Sequence, residues 1–279
     1  MPSCIVKVRR AFNHLKELQK HAGRAREEDM HFAPCTVEPD PNSADHMLVK
    51  CTVHPPPVEP LSTILGDCVQ NLRSALDHMI FALAMKHSGS LSEQEARACQ
   101  FPIIGDEDRQ GHFGCGAANF AAKNVARMIE KISPQARAVV EWMQPYKMGA
   151  GYKRQILWTL NELSNTDKHR FIHIAYWQSG RVNFTLDPAR GLKVPAGLSD
   201  LDVIQQYDTI LKGEAIVARI HRCFFDALQR DAQMNVNIVS CSTVAFDTGD
   251  LRGKEVVGEL HLILEGITQR IFPPLLKLL

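Results

Sequence analysis

Gly66-Asp67-Cys68-Val69-Gln70-Asn71-Leu72-Arg73-Ser74-Ala75-Leu76-Asp77-His78-Met79-Ile80-Phe81-Ala82-Leu83 decides how the first half of this chain is read. At 100° per residue, Leu65, Val69, Leu72, Leu76, Met79, Ile80 and Leu83 fall on one stripe, the core face of a helix. Asn71, Ser74, His78, Phe81 and Met85 lie opposite, and Arg73 and Asp77, four apart, occupy a flank. The segment is apolar on almost every side, and such a helix is buried on more than one face. Its polar groups must then find partners, because an unpaired buried polar group costs roughly 2–7 kcal/mol and a charge costs more. Two readings follow. In one, Arg73 and Asp77 form an i,i+4 ion pair, His78 is a satisfied interior histidine, and the group is a buried structural network. In the other, the group is a reaction site.

The helical pattern extends on both sides of this stretch. Val8, Phe12, Leu15, Leu18 and Ala22 predict an amphipathic first helix with Lys16, Glu17 and Lys20 on its polar face. Pro34 to Asp45 reads as a connection, 46–54 as a strand, and Pro55-Pro56-Pro57 as its end. Ser62 is the expected N-cap of the central helix. Residues 88–116 read as a loop, 117–132 as a helix, and Ser133-Pro134 as the start of another that runs to Pro145. A further helix is expected over 152–169, with Ile156, Leu160 and Leu163 on its core stripe.

The texture changes after Arg170. Residues 171–177 and 181–186 predict a strand pair around Gln178-Ser179-Gly180, and 216–220 and 235–239 predict further strands. Glu255 to Phe272 is helical again, stopped by Pro273-Pro274. The expected architecture is a single α+β domain over 1–279. A helical layer from 1–30, 61–87 and 117–169 packs on an antiparallel sheet formed mainly by 171–279, and the helix at 255–272 docks back. The strand at 46–54 needs partners from the late block.

A second polar group, Asn161-Glu162-Leu163-Ser164-Asn165-Thr166-Asp167-Lys168-His169-Arg170, ends the 152–169 helix. Lys168, His169 and Arg170 suit the negative end of the helix dipole. Asp167 does not, and it shares the core stripe. It therefore needs a donor, and Arg73 or His78 is the expected one. His169 and His173 are four apart, a metal-like spacing, but Phe171-Ile172 reads as strand and no His-Glu-x-x-His signature is present. No metal and no cofactor is called for. There is no phosphate-binding glycine loop, dinucleotide fingerprint or nucleophile elbow.

The chain has 279 residues, enough for a sizeable core, and a formal net charge of +1, which gives no global attraction for nucleic acid. Met1 to Arg10 lacks a signal-peptide pattern, and no apolar run reaches membrane-spanning length. The eight cysteines include no Cys-x-x-Cys pair, and Cys51, Cys68, Cys223 and Cys241 have mostly apolar neighbours. This fits reduced thiols in a cytoplasmic protein with no membrane partner.

Arg73 and His78, separated by four residues within a helix, resemble the Arg-x(4–6)-His motif of the HEPN superfamily. That resemblance implies a metal-independent ribonuclease, or an inactive relative, working as a homodimer with RNA as partner. Arg73 would polarise the phosphate and His78 would move the proton, with Asp77 or Asp167 orienting it. Asn71, Asn165, Lys168 and His169 would be substrate contacts. After the arginine, where the family usually has Asn, Asp or His, this chain has Ser74. The stretches Leu72–His78, Phe101-Pro102-Ile103, Gln144-Pro145-Tyr146 and Asn165–Arg170 also look like an uncharacterised group of bacterial proteins. The alternative function is a non-catalytic binding or scaffold protein.

Overall fold

A computed structural model describes residues 2–27, 31–32, 36–54, 57–107, 110–170, 172–178, 204–206, 209–210, 213–229, 242–247 and 249–279. The fold mixes helix with small antiparallel sheets, an α+β composition. The chain divides into two compact units: 1–19, 59–172 and 257–279 form one, and 20–58 and 173–256 form the other. The break between Ile172 and His173 falls where the sequence changes texture. Among the described residues, no helix is long and apolar enough to cross a membrane.

The first unit is helical. Its helices are α1 (Ser3–Glu27, of which 3–19 belong to this unit), α2 (Glu59–Ser88), α3 (Glu93–Ala98), α4 (Gly116–Ala121), α5 (Lys123–Met128), α6 (Pro134–Trp142) and α7 (Ile156–His169). A C-terminal helical run follows, over 256–276, of which 257–276 belong to this unit. The stripe read from the sequence is the core: Leu65, Val69, Leu72, Leu76, Met79, Ile80 and Leu83 of α2 are all buried. The opposite face is partly open, with Phe81 and Met85 exposed, so α2 is not enclosed all round. In α1 the buried residues are Cys4, Ala11, His14, Leu15 and Leu18, whereas Phe12 of the expected stripe is exposed.

Several boundaries differ from expectation. α2 begins at Glu59, with the acidic residue and Pro60 in its first turn, where both are favoured. Ser62 is therefore not its cap. Its hydroxyl instead donates to the carbonyl of Ile172. The expected loop at 88–116 contains α3, started by a capping box. Ser92 Oγ accepts from Glu95 N, and Glu95 accepts from Ser92 N at 2.8 Å. The expected helix at 117–132 breaks at Ala122, which is extended; no residue there signals it. Ser133 caps α6 as expected, accepting from Ala136 N at 3.2 Å. The helix expected from Tyr152 starts four residues later, after two short 3₁₀ turns within Pro145–Arg154 that are separated by a kink at Gly149, where φ is +53°. Pro273-Pro274 does not stop the last helix. A π-type turn over Ile267–Ile271 widens the backbone just before them, and the prolines sit in the first turn of Phe272–Leu276.

Among the described residues the second unit holds eight strands: β1 (His31–Phe32), β2 (Thr36–Pro39), β3 (His46–His54), β4 (Ile174–Gln178), β5 (Ile204–Gln206), β6 (Thr209–Ile210), β7 (Gly213–His221) and β8 (Ser242–Phe246). The helix α8 (Arg222–Gln229) follows β7 directly. One sheet runs β1-β3-β7-β5, with β2 also paired to β3; the other runs β6-β4-β8, and all pairs are antiparallel. The early strand thus finds its partner in the late block, β3 against β7, with a bulge at Val49/Lys50. Lys50 bridges Glu38 of β2 at 2.7 Å and Glu214 of β7 at 3.1 Å. The strands expected at 181–186 and 235–239 lie outside the described residues.

Candidate functional site

The polar residues of α2 are aimed at a backbone. Arg73 Nη2 donates to the Phe101 carbonyl at 2.8 Å and lies 3.4 Å from Asp77 Oδ1. The same Asp77 oxygen accepts from Phe101 N at 2.9 Å. One i,i+4 pair thus takes both polar groups of a residue whose ring is fully buried. Burial disfavours charge at both partners: it lowers the pKa of Arg73 against the pull of Asp77 and raises that of Asp77 against Arg73 and the Phe101 N–H.

Gln144 completes the grip on the segment after Phe101. Its amide nitrogen donates to Pro102 O at 2.9 Å and Val140 O at 3.0 Å, and its amide oxygen accepts from Ile104 N at 3.0 Å. Tyr146 N donates to Ile104 O at 3.0 Å. Three stretches that stood out in the sequence, around Arg73/Asp77, Phe101-Pro102-Ile103 and Gln144-Pro145-Tyr146, are therefore one cross-link. It satisfies the backbone of a turn pressed between helices, where orphan groups are costly.

The end of α7 does come beside α2, as expected, but Asp167 finds a different partner. Its Oδ2 accepts from Gln70 Nε2 at 2.9 Å. Its carboxyl occupies the space that a Cβ at Gly66 would fill. The expected pairing with Arg73 or His78 is thus replaced by an uncharged donor nearly one turn earlier in α2. The reason is steric: Gly66 alone lets the carboxylate approach the helix closely, and Arg73 is engaged at Phe101.

His78 is half-buried and makes no hydrogen bond among the described residues, although its charge and that of Lys168 are felt at Asp77. Asn71 bonds back to its own helix at Asp67 O, 2.7 Å away. Asn165 and Lys168 are exposed, and the side chain of His169 lies outside the described part. α7 ends at His169 and Arg170 is extended, so His169 and His173 do not share a helical face. Among the described residues, no group of three metal-ligating side chains comes together.

In the second unit a cluster arises that no sequence motif announces. His46 and His221 are direct cross-strand partners at one end of β3 and β7, with ring centroids 5.2 Å apart, edge to face. His221 Nδ1 lies 2.9 Å from Cys223 Sγ, and His46 Nδ1 lies 2.8 Å from Ser43 Oγ. Beside them Arg219 Nε donates to buried Asp40 at 2.7 Å, and Asn42 N donates to the same carboxyl at 2.8 Å. These donors hold the Asp40 carboxyl below its usual range. His46 is pushed down by burial first and then by Arg219 and His221. The local signal was His221-Arg222-Cys223, an x-spaced histidine and thiol, which is short and common. No protein-family model, no curated protein and no solved structure matches this chain.

Proposed function

We propose that this protein is a non-catalytic binding protein in which Arg73, Asp77 and Gln144 are structural cross-links of the helical unit, and that its partner is a second copy of itself. The observation behind the first part is the double bond of Arg73 and Asp77 to Phe101, N–H and carbonyl together. A guanidinium and a carboxylate committed to a buried backbone are poorly placed to meet a substrate. The outer face of α2 supports the second part. Ser74, His78, Phe81 and Met85 form a stripe at helical spacing, and Phe81 and Met85 expose 39% and 38% of their surface. Sedimentation of the full chain tests this, with Phe81→Glu and Met85→Glu expected to shift it from dimer to monomer. A monomeric wild type at high concentration removes the self-association reading.

A HEPN-like, metal-independent ribonuclease is the second reading. It is favoured by the buried Arg73 Nη1 and by His78, half-exposed, neither of which has a hydrogen-bond partner among the described residues. Here Arg73 would bind phosphate and His78 would transfer the proton. Purified protein is incubated with total RNA, with and without chelator, alongside His78→Ala. Cleavage that resists chelator and is lost in His78→Ala establishes this reading. Intact RNA in both proteins removes it.

A further inference from the structure

The β unit places a thiol against an imidazole in a geometry suited to proton transfer. His221 closes β7 and Cys223 lies in the first turn of α8, so strand and helix meet at this pair. The junction is anchored: Arg222 N donates to Asp45 O at 2.7 Å. Cys223 N donates to His221 Nδ1 at 3.3 Å, which makes Nδ1 the lone-pair nitrogen and leaves the proton on Nε2. The thiol therefore faces a basic nitrogen 2.9 Å away. Cys223 is half-exposed.

We propose that Cys223 is a nucleophilic thiol with His221 as its base, and that this site takes small-molecule disulfides by thiol–disulfide exchange. The thiol proton passes to His221 Nδ1 at the cost of the weaker bond from Cys223 N. The sulfur lone pair attacks one sulfur of the disulfide, whose S–S bond breaks with its electron pair on the departing sulfur. That sulfur takes the proton from the imidazolium and leaves as a thiol. One disulfide is consumed and one is formed, so no other oxidant is required. His46 lies edge to face with His221, and burial first, then Arg219 and His221, oppose its charging against the pull of Asp40 and Asp45.

The other described free cysteines, Cys4, Cys68, Cys99 and Cys115, all lie in the helical unit. Burial pushes Cys4 and Cys99 up and holds Cys68 at about 12, away from the thiolate form. Burial therefore works against these three as nucleophiles. The inference is independent of the reading given to α2.

The test mixes the folded full chain with an aromatic disulfide reagent, follows thiol release, and maps the modified peptides by mass at short times. Native Cys223 is expected to react at least about tenfold faster than the same residue in urea-unfolded chain, the scale of modest base assistance. Glutathione disulfide is expected to leave its mixed disulfide on the same peptide first. His221→Gln is expected to lose the advantage. A native rate equal to or below the unfolded rate overturns the proposal without any variant. An unchanged rate in a folded His221→Gln overturns the role of His221.

Discussion

Two Asp–Arg pairs, one in each unit, show opposite uses of the same chemistry. Asp77–Arg73 closes on a backbone and is dominated by burial, which raises the Asp77 pKa. Asp40–Arg219 closes beside a cluster of titratable side chains and is dominated by donors, the Asn42 N–H first and then Arg219, which lower the Asp40 pKa. The first pair spends its hydrogen bonds on holding a turn. The second sits beside two imidazoles and a thiol that remain available to each other. Where polar groups are consumed by main chain, they stabilise; where they meet other titratable side chains, they can react.

The comparison breaks most sharply at the α2 clamp. Breaking a buried ion pair by removing one partner costs roughly 3–5 kcal/mol, and with 30% of Asp77 exposed the expected loss for Arg73→Ala or Asp77→Ala is about 2–4 kcal/mol in urea unfolding. A loss below about 0.5 kcal/mol, typical of a surface substitution, would return this pair to the surface or to a cleft. Gly66→Ala comes next. The added methyl meets the Asp167 carboxyl, so a loss of about 1–3 kcal/mol is expected, as for overpacking. Pairing it with Asp167→Ala should recover part of that loss, and strict additivity would show that the two side chains do not compete for one space. Gln144→Leu strands the Pro102 carbonyl and the Ile104 N–H, with an expected loss of about 1–3 kcal/mol.

The smaller effects are read in pH. Lys131 first, then the Ser92 N–H and hydroxyl, hold Glu95 at about 2. A depressed carboxylate stabilises above its unfolded value, near 4.3, and the benefit disappears as pH falls through the folded value. The amide of Ser92 should therefore lose exchange protection between about pH 4 and 2, and a Glu95 carboxyl titrating near 4.3 by NMR would sink the capping box. The two Asp residues should differ in sign. Asp40, with its pKa lowered, contributes above its unfolded value and loses that contribution on acidification. Asp77, with its pKa raised, contributes below its unfolded value and loses that contribution as pH rises through its folded pKa. Asp40→Asn should flatten the acid limb of the stability profile, and Asp77→Asn should flatten the opposite slope. The same sign in both would erase the contrast drawn between the two pairs.

The sequence by itself determined what repeats locally. The stripe from Leu65 to Leu83, the Ser133-Pro134 helix start and the strand at 46–54 all rest on periods of 3.6 or 2 and on capping chemistry within a few residues. It also showed that Asp167 was misplaced for a helix end and needed a donor. The capping box at Ser92-Glu93-Gln94-Glu95 is a local signal of the same kind. The tertiary structure alone decided the partners. Arg73 and Asp77 bind the backbone of Phe101, and a main-chain acceptor leaves no residue-type signature. Asp167 goes to Gln70 because Gly66 opens a space that no side-chain pattern announces. His46 reaches His221 through the register of β3 on β7, far apart in the chain, and Cys223 joins them only because α8 begins where β7 ends. Periodicity is a property of neighbouring residues, whereas a hydrogen bond between distant segments depends on distances of a few tenths of an ångström that packing sets.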